Sequence, residues 1–107
     1  MTHGDEASDG RVIIINVFRL KDGASPAEAV ERLAAVNRRI AREPGFLEAT
    51  AHRGRDGTVI ANHAVWRTET SIREALAHPE LAPLLDELLE LADGDWHLYD
   101  VADRLSA

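Results

Sequence analysis

Apolar and polar positions along the chain follow two periods, one typical of β-strands and one typical of amphipathic helices. Residues 11–19 are apolar on both strand faces, which predicts a strand covered on both sides. The capping box over 25–28 predicts a helix that runs to about Arg42, with Arg39 among its solvent-facing arginines. The further predicted features are strands over 46–54 and 58–67, helices over 69–77 and 80–92, a helix stop at Gly94, and a strand over 96–101.

The element order βαββαβ predicts a ferredoxin-like α+β fold, with helices packed on one face of an antiparallel sheet. The first and third strands are apolar on both faces, so the sheet face without helices would be a large exposed apolar patch. A symmetric dimer that packs sheet against sheet would cover this patch. We therefore expect a homodimer.

Length and composition narrow the classes of protein. A chain of 107 residues fits one domain, which we place at residues 11–107, after a disordered, acidic tail over 1–10 that lacks the apolar core of a signal peptide. No apolar run approaches the roughly 20 residues that span a bilayer, so we expect a cytoplasmic protein without a membrane partner. The net charge of −7 argues against nucleic acid, and the absence of cysteine excludes thiol catalysis.

Two polar side chains in the third strand are the main candidates for chemistry. Asn62 and Trp66 lie four residues apart, so on a strand they share a face with the apolar residues Ile60 and Ala64. An amide and an indole N–H among apolar neighbours are typical of a dry small-molecule pocket. In a structural interpretation, Trp66 is a core aromatic residue and the Asn62 amide has a partner in the protein.

Asn16 and His52 are the other candidates. Asn16 lies within a run of isoleucine and valine, where an unpaired buried amide costs about 1–3 kcal/mol, so it needs either a neighbouring strand or a ligand as its partner. His52 shares a strand face with Glu48 and Thr50, and an imidazole there could be a general base or could simply face solvent. The histidines are too scattered to predict a metal site.

Three motifs along the chain are Glu43-Pro44-Gly45-Phe46 after a long helix, the Asp56-Gly57 hairpin, and Val65-Trp66 at the end of the third strand. Together they resemble the antibiotic biosynthesis monooxygenase superfamily, over about residues 11–101. The resemblance implies a dimeric α/β barrel.

A narrower resemblance involves Asn16, Asn62 and Trp66. Together these residues are similar to the Asn, Asn and Trp pattern of cofactor-independent anthrone oxygenases, which serve actinorhodin- and nogalamycin-type aromatic polyketide pathways. This resemblance implies oxidation of an anthrone-like polycyclic phenol to a quinone, with O2 as co-substrate, no cofactor, and His52 as a further site residue. The actinorhodin-type pattern also has a Tyr and an Arg, where this chain has Ile72 and about Leu85. Haem-degrading relatives have a Trp and a His at about Ala75 and Leu85, so haem is not expected.

Two alternatives remain open at this point. A polyketide cyclase or isomerase would use the same hydrogen-bond donors without O2. A non-catalytic ligand-binding barrel is the other, because a fold of this type hosts many functions.

Overall fold

The computed structural model describes residues 10–107, so the predicted tail lies outside the described residues up to residue 9. Within these described residues the chain forms four strands and three helices in the order βαββααβ. Their bounds are β1 Val12–Leu20, α1 Pro26–Ile40, β2 Phe46–Arg53, β3 Val59–Trp66, α2 Glu69–Leu76, α3 Leu81–Leu89 and β4 Ala92–Tyr99.

The strands form one antiparallel sheet in the order β2-β3-β1-β4. Directly paired residues in such a sheet share a face, so the pairs Ile14–Ala64 and Phe18–Ile60 lie on the same side. This side packs on the helices, and two buried clusters form the core there. The predicted ferredoxin-like α+β fold is confirmed. Within residues 10–107, no helix has the length and apolarity needed to cross a membrane.

Helix α1 begins as predicted but ends two residues early, and one of its predicted solvent-facing residues is buried. The Ser25 hydroxyl accepts a hydrogen bond from the Glu28 backbone N–H at 3.2 Å, which caps the helix. The buried positions include Arg39, which the sequence placed in solvent. Arg39 is buried because Glu43 and Glu80 both bind its guanidinium, each at 2.7 Å. These two carboxylates replace the water that the charge would otherwise need.

Gly45 holds the start of β2 close to the start of α2. Its φ of +86° is in the left-handed region, and a Cβ there would overlap the Ser71 side chain. The Gly45 carbonyl accepts a hydrogen bond from the Arg67 N–H at 2.8 Å. Phe46 then pairs with Trp66 across the strands, and the two rings meet edge to face at 5.4 Å. The Pro-Gly-Phe motif thus fixes the position of Trp66.

Strand β4 starts earlier than the sequence predicts. Gly94 does not stop a helix but lies inside this strand, opposite Phe18. A Cβ on Gly94 would lie 2.6 Å from the Phe18 ring, so glycine is needed for the two strands to approach. The earlier start moves Trp96 to the middle of the strand, where it pairs with Asn16.

Candidate active site

A cavity of about 250 Å³ lies between the sheet and the helices. This volume is just below the roughly 300–1,000 Å³ that is usual for ligand pockets, and the cavity is open at one side, where exposed residues form part of the lining. None of the described side chains that line it carries a charge. The polar ones are two amides and two indoles: Asn16, Asn62, Trp66 and Trp96. The cavity lining also includes Ile72, Ala75 and Leu85. These are the positions at which the resemblances described above would place polar or aromatic side chains, and in this chain they are apolar.

The structure brings three of the four predicted site residues together. Asn16 and Asn62 are directly paired on neighbouring strands, and Trp66 follows on the same face of β3. All three line the cavity. Their shared location follows from the strand register, while their catalytic roles stay predictions.

Asn62 has a partner that the sequence analysis missed. The amide groups of Asn62 and Asn37 exchange two hydrogen bonds, each 2.9 Å long, and Asn62 is only 3% exposed. A signal for Asn37 was present, because it is half-buried and lies four residues after Leu33 and three before Ile40, both of which are buried residues of α1. Each amide uses one N–H and one oxygen lone pair in this exchange, so Asn62 retains one further N–H for a ligand.

Trp66 and Asn16 have no such partner. Within residues 10–107, neither the Trp66 indole N–H nor the Asn16 side-chain amide makes a hydrogen bond to the protein. Trp66 is 2% exposed and lines the cavity, and no fully enclosed side-chain nitrogen or oxygen of the described residues lacks a partner. The indole N–H is therefore accessible from the cavity side. Both groups are thus available to a molecule that enters the cavity, in addition to the remaining N–H of Asn62.

His52 does not join these residues. Its neighbour Ala51 pairs with Asn62, while His52 pairs with Ala61, so its side chain lies on the sheet face away from the cavity. The side chain is exposed there. Its role as a base stays a prediction that the geometry of this protomer does not support.

An ion-pair cluster lies beside the cavity, at the end of α1. The hydrogen bond that Arg39 donates to Glu43, together with the one it donates to Glu80, raises the pKa of Arg39 above its ordinary value despite the opposing effect of burial. The hydrogen bond from Arg39 lowers the pKa of Glu80. Glu80 immediately precedes α3, so the cluster links two helices whose residues Ile40 and Leu81 line the cavity. Residues 10–107 contain no cluster of three His, Cys, Asp or Glu side chains that could hold a metal ion.

Known proteins with similar sequences include two monooxygenases. The chain is 38% identical to tetracenomycin-F1 monooxygenase of Streptomyces glaucescens over 77 residues, which cover 68% of this chain but only 65% of that relative, just under two thirds of its length. It is 32% identical to deoxynogalonate monooxygenase of Streptomyces nogalater over 103 residues, or 94% of this chain and 85% of the relative.

A solved structure is similar over nearly its whole length. SnoaB, a cofactor-independent oxygenase from Streptomyces nogalater, superimposes with a TM-score of 0.83 in the form of an Asn-to-Ala variant. The superposition covers 92% of this chain and 99% of that chain at 29% sequence identity. Residues 11–82 also match the family described as antibiotic biosynthesis monooxygenase. The chain therefore belongs to the antibiotic biosynthesis monooxygenase family.

Proposed function

We propose that this protein is a cofactor-independent monooxygenase that oxidises an anthrone-like polycyclic phenol to a quinone in aromatic polyketide biosynthesis, with O2 as co-substrate. The main support for this proposal is the composition of the cavity. The apolar, uncharged cavity contains the Asn16 amide and the Trp66 indole N–H, neither of which is hydrogen-bonded to the described part of the protein. The monooxygenase relatives and the cofactor-independent neighbour support the reaction type.

The chemistry needs an electron-rich anion and a dry site. Loss of a proton from the anthrone methylene gives a carbanion that is delocalised as a phenolate. This anion passes one electron to O2, and the substrate radical and superoxide combine to form a C–O bond. Protonation of the outer oxygen gives a hydroperoxide. Removal of the second methylene proton then forms the C=O bond as the O–O bond breaks, and the departing oxygen leaves as water.

The donors in the cavity suit the negative charge that develops on the substrate oxygen. Neutral N–H groups held in a low-dielectric site stabilise an oxyanion without reorganisation of solvent. Trp66 Nε1–H and the Asn16 amide are available for this task, and Asn62 adds its remaining N–H in an orientation that Asn37 fixes. Removing one such donor typically costs about 10²–10³ in rate.

Among residues 10–107, no ionisable side chain lines the cavity, so none of them is placed there to accept the methylene proton. With no such group among residues 10–107, we assign its removal to water at the open side of the cavity. The protein favours this step by stabilising the resulting anion, and not by supplying a base. The acidity of the substrate then governs the rate of anion formation.

We also propose that the working form is a homodimer. The face of β1 opposite the cavity carries Ile13, Ile15 and Val17, next to Ala61 and Val65 of β3. Packing this face on a second copy would bury it. Sedimentation should show a dimer that Val17→Glu converts to a monomer, while Ala27→Glu on the exposed side of α1 leaves it intact. A monomeric parent protein would contradict the proposal.

Oxygen uptake by metal-free and flavin-free protein tests the reaction. Dithranol, a dihydroxyanthrone, is the substrate, and the Asn16→Ala/Trp66→Phe double variant is the comparison. Neither side chain is hydrogen-bonded within residues 10–107, so the change leaves no protein group unpaired. Tyr99→Phe, on the opposite sheet face, is the matched control.

We expect uptake above autoxidation in the parent protein and in Tyr99→Phe, and its collapse in the double variant. Turnover without consumption of O2 would replace the proposal with a cyclase or isomerase. Ligand binding without any turnover would indicate an accessory binding protein.

A further inference from the structure

We infer that Trp96 is a second aromatic residue of the site, which stacks on the flat face of the substrate at the cavity mouth and selects polycyclic aromatic molecules. The identity of the substrate rests on the proposed function, whereas the role of Trp96 rests on the geometry of the site.

Trp96 lies next to the hydrogen-bonding groups of the cavity. It is the Cα partner of Asn16 on the neighbouring strand, so the side chains of these two residues share a face. Opposite residues on paired strands have Cβ atoms roughly 4.5–5.5 Å apart, which is within reach of an aromatic ring. The indole lines the cavity and is 49% exposed. One surface of the ring is thus available to a molecule bound beside Asn16.

Two other large apolar side chains are exposed at the same mouth. Leu76, near the end of α2, is 43% exposed, and Leu89, at the end of α3, is 42% exposed. Both line the cavity. Single exposed apolar residues are common on protein surfaces, but here three from separate elements border one opening. We call Leu76, Leu89 and Trp96 the rim.

The rim is suited to a planar aromatic ligand. Its apolar area is left in water in the free protein, and a ligand that extends beyond the cavity would cover it. The cavity of about 250 Å³ is open, and the rim side chains are part of its lining, so a planar molecule bound in it would contact them. An indole adds a stacking contact with an aromatic ring that leucine does not provide.

Trp66 and Trp96 thus have different roles. Trp66 is almost fully buried and directs its N–H at the charge that develops during reaction, so its loss lowers kcat. Trp96 contacts the substrate before and during the reaction alike, so its loss raises KM with kcat retained. We expect Trp96→Leu to raise KM roughly tenfold, and Trp96→Phe to raise it much less.

Fluorescence measures binding without turnover. The chain contains two tryptophans, so the Trp66→Phe variant reports on Trp96 alone. Titration with 1,8-dihydroxyanthraquinone, an oxidised molecule that needs no O2, should quench this fluorescence to saturation. By calorimetry, we expect the same ligand to bind Trp96→Leu roughly tenfold more weakly than the parent protein. The control is Tyr99→Leu, which lies on the same strand, is 42% exposed, and faces away from the cavity.

Each outcome of these measurements supports or contradicts the role of Trp96. Unchanged KM and Kd in Trp96→Leu, with an active parent protein, would overturn the role of Trp96 and leave the proposed oxygenase intact. Saturable quenching and weaker binding by Trp96→Leu, with no oxygen uptake by the parent protein, would support the role of Trp96 and reject the oxygenase. If Trp96→Leu also changes the sedimentation coefficient to that of a different oligomer, the rim is an interface between copies and the inference fails.

Discussion

The side-chain amides of Asn37 and Asn62 exchange two hydrogen bonds of 2.9 Å, which join helix α1 to strand β3 at the wall of the cavity. From the sequence, Asn62 needed either a protein partner or a ligand. The structure provides a partner and also places Asn62 in the cavity lining. The loss of Asn62 would therefore affect stability as well as catalysis, and the two effects need to be separated.

Replacement of Asn62 by alanine should destabilise the fold by about 1–3 kcal/mol, because it leaves the Asn37 amide without its partner. Asn37→Ala should have a similar effect for the reciprocal reason. The double variant should lose clearly less than the sum of the two, since no amide is then left unpaired. Urea denaturation of the three variants measures this coupling, and strictly additive losses would contradict it.

Activity separates the roles of the same pair. In the proposed mechanism Asn62 donates to the substrate, while Asn37 only positions it. We therefore expect kcat of Asn62→Ala to fall by about 10²–10³, and that of Asn37→Ala by less. Both kcat values should be measured under conditions in which the variants are fully folded. An equal loss in both would mean that Asn62 acts only through the structure.

The sequence predicts which candidate residues share a face, but not everything that surrounds them. Period-two alternation places Asn62 with Trp66, and Asn16 joins them once the strands pair. The contact between Asn37 and Asn62 depends on how α1 is rotated and shifted over the sheet, which the local sequence pattern does not specify. The spacing of Asn37 from the buried residues Leu33 and Ile40 was nevertheless a signal.

Two errors in the prediction arise from tertiary contacts. Gly94 resembles a helix stop, but it is needed for the approach of the Phe18 ring across the sheet. Arg39 resembles a solvent-facing arginine, but it is paired with Glu80, 41 residues further along the chain. In both cases the deciding partner is distant in sequence.

Gly45 should be more sensitive to substitution than another glycine with the same backbone conformation. Gly23, at φ +81°, has open space where a Cβ would lie. Gly23→Ala should therefore lower the unfolding free energy only by the cost of a left-handed backbone in alanine, about 1–2 kcal/mol. At Gly45 the added Cβ would also meet Ser71 Cβ at 2.5 Å. We expect a clearly larger loss of unfolding free energy in Gly45→Ala, measured by urea denaturation. Equal losses would show that the contact with Ser71 relaxes freely.

The uncharged cavity should favour neutral substrates. An unpaired carboxylate in an apolar site costs several kcal/mol, and no cationic side chain from residues 10–107 lines the cavity. We expect kcat/KM for a carboxylated anthrone to be at least about tenfold below that for its methyl ester. The ester is the matched control because it has the larger volume but no charge. If acid and ester react equally well, the carboxylate lies in solvent beyond the mouth.

The pair formed by Arg39 and Glu80 should make stability depend on pH in acid. Its hydrogen bond lowers the pKa of Glu80 in the folded state, so the stabilisation is present above the ordinary value of 4.5 and is lost as pH falls through the lowered pKa. Glu80→Gln should therefore be less stable than the parent protein at neutral pH, and the two should converge in acid. The control is Glu74→Gln on α2, which forms no ion pair within residues 10–107 and should follow the parent protein.

His52 provides the most direct test of how the substrate loses its proton. Its side chain lies on the opposite sheet face from the cavity, and no ionisable side chain of the described part of the chain lines the cavity itself. We therefore expect the pH dependence of kcat/KM to follow the acidity of the substrate, so that a more acidic anthrone shifts the inflection. His52→Gln should lose far less than the roughly 10²–10⁴-fold that a general base contributes. The matched control is His63→Gln, on the same face. A substrate-independent inflection in the histidine range that disappears only in His52→Gln would establish His52 as the base, acting from the side of the sheet where we expect a second copy to pack.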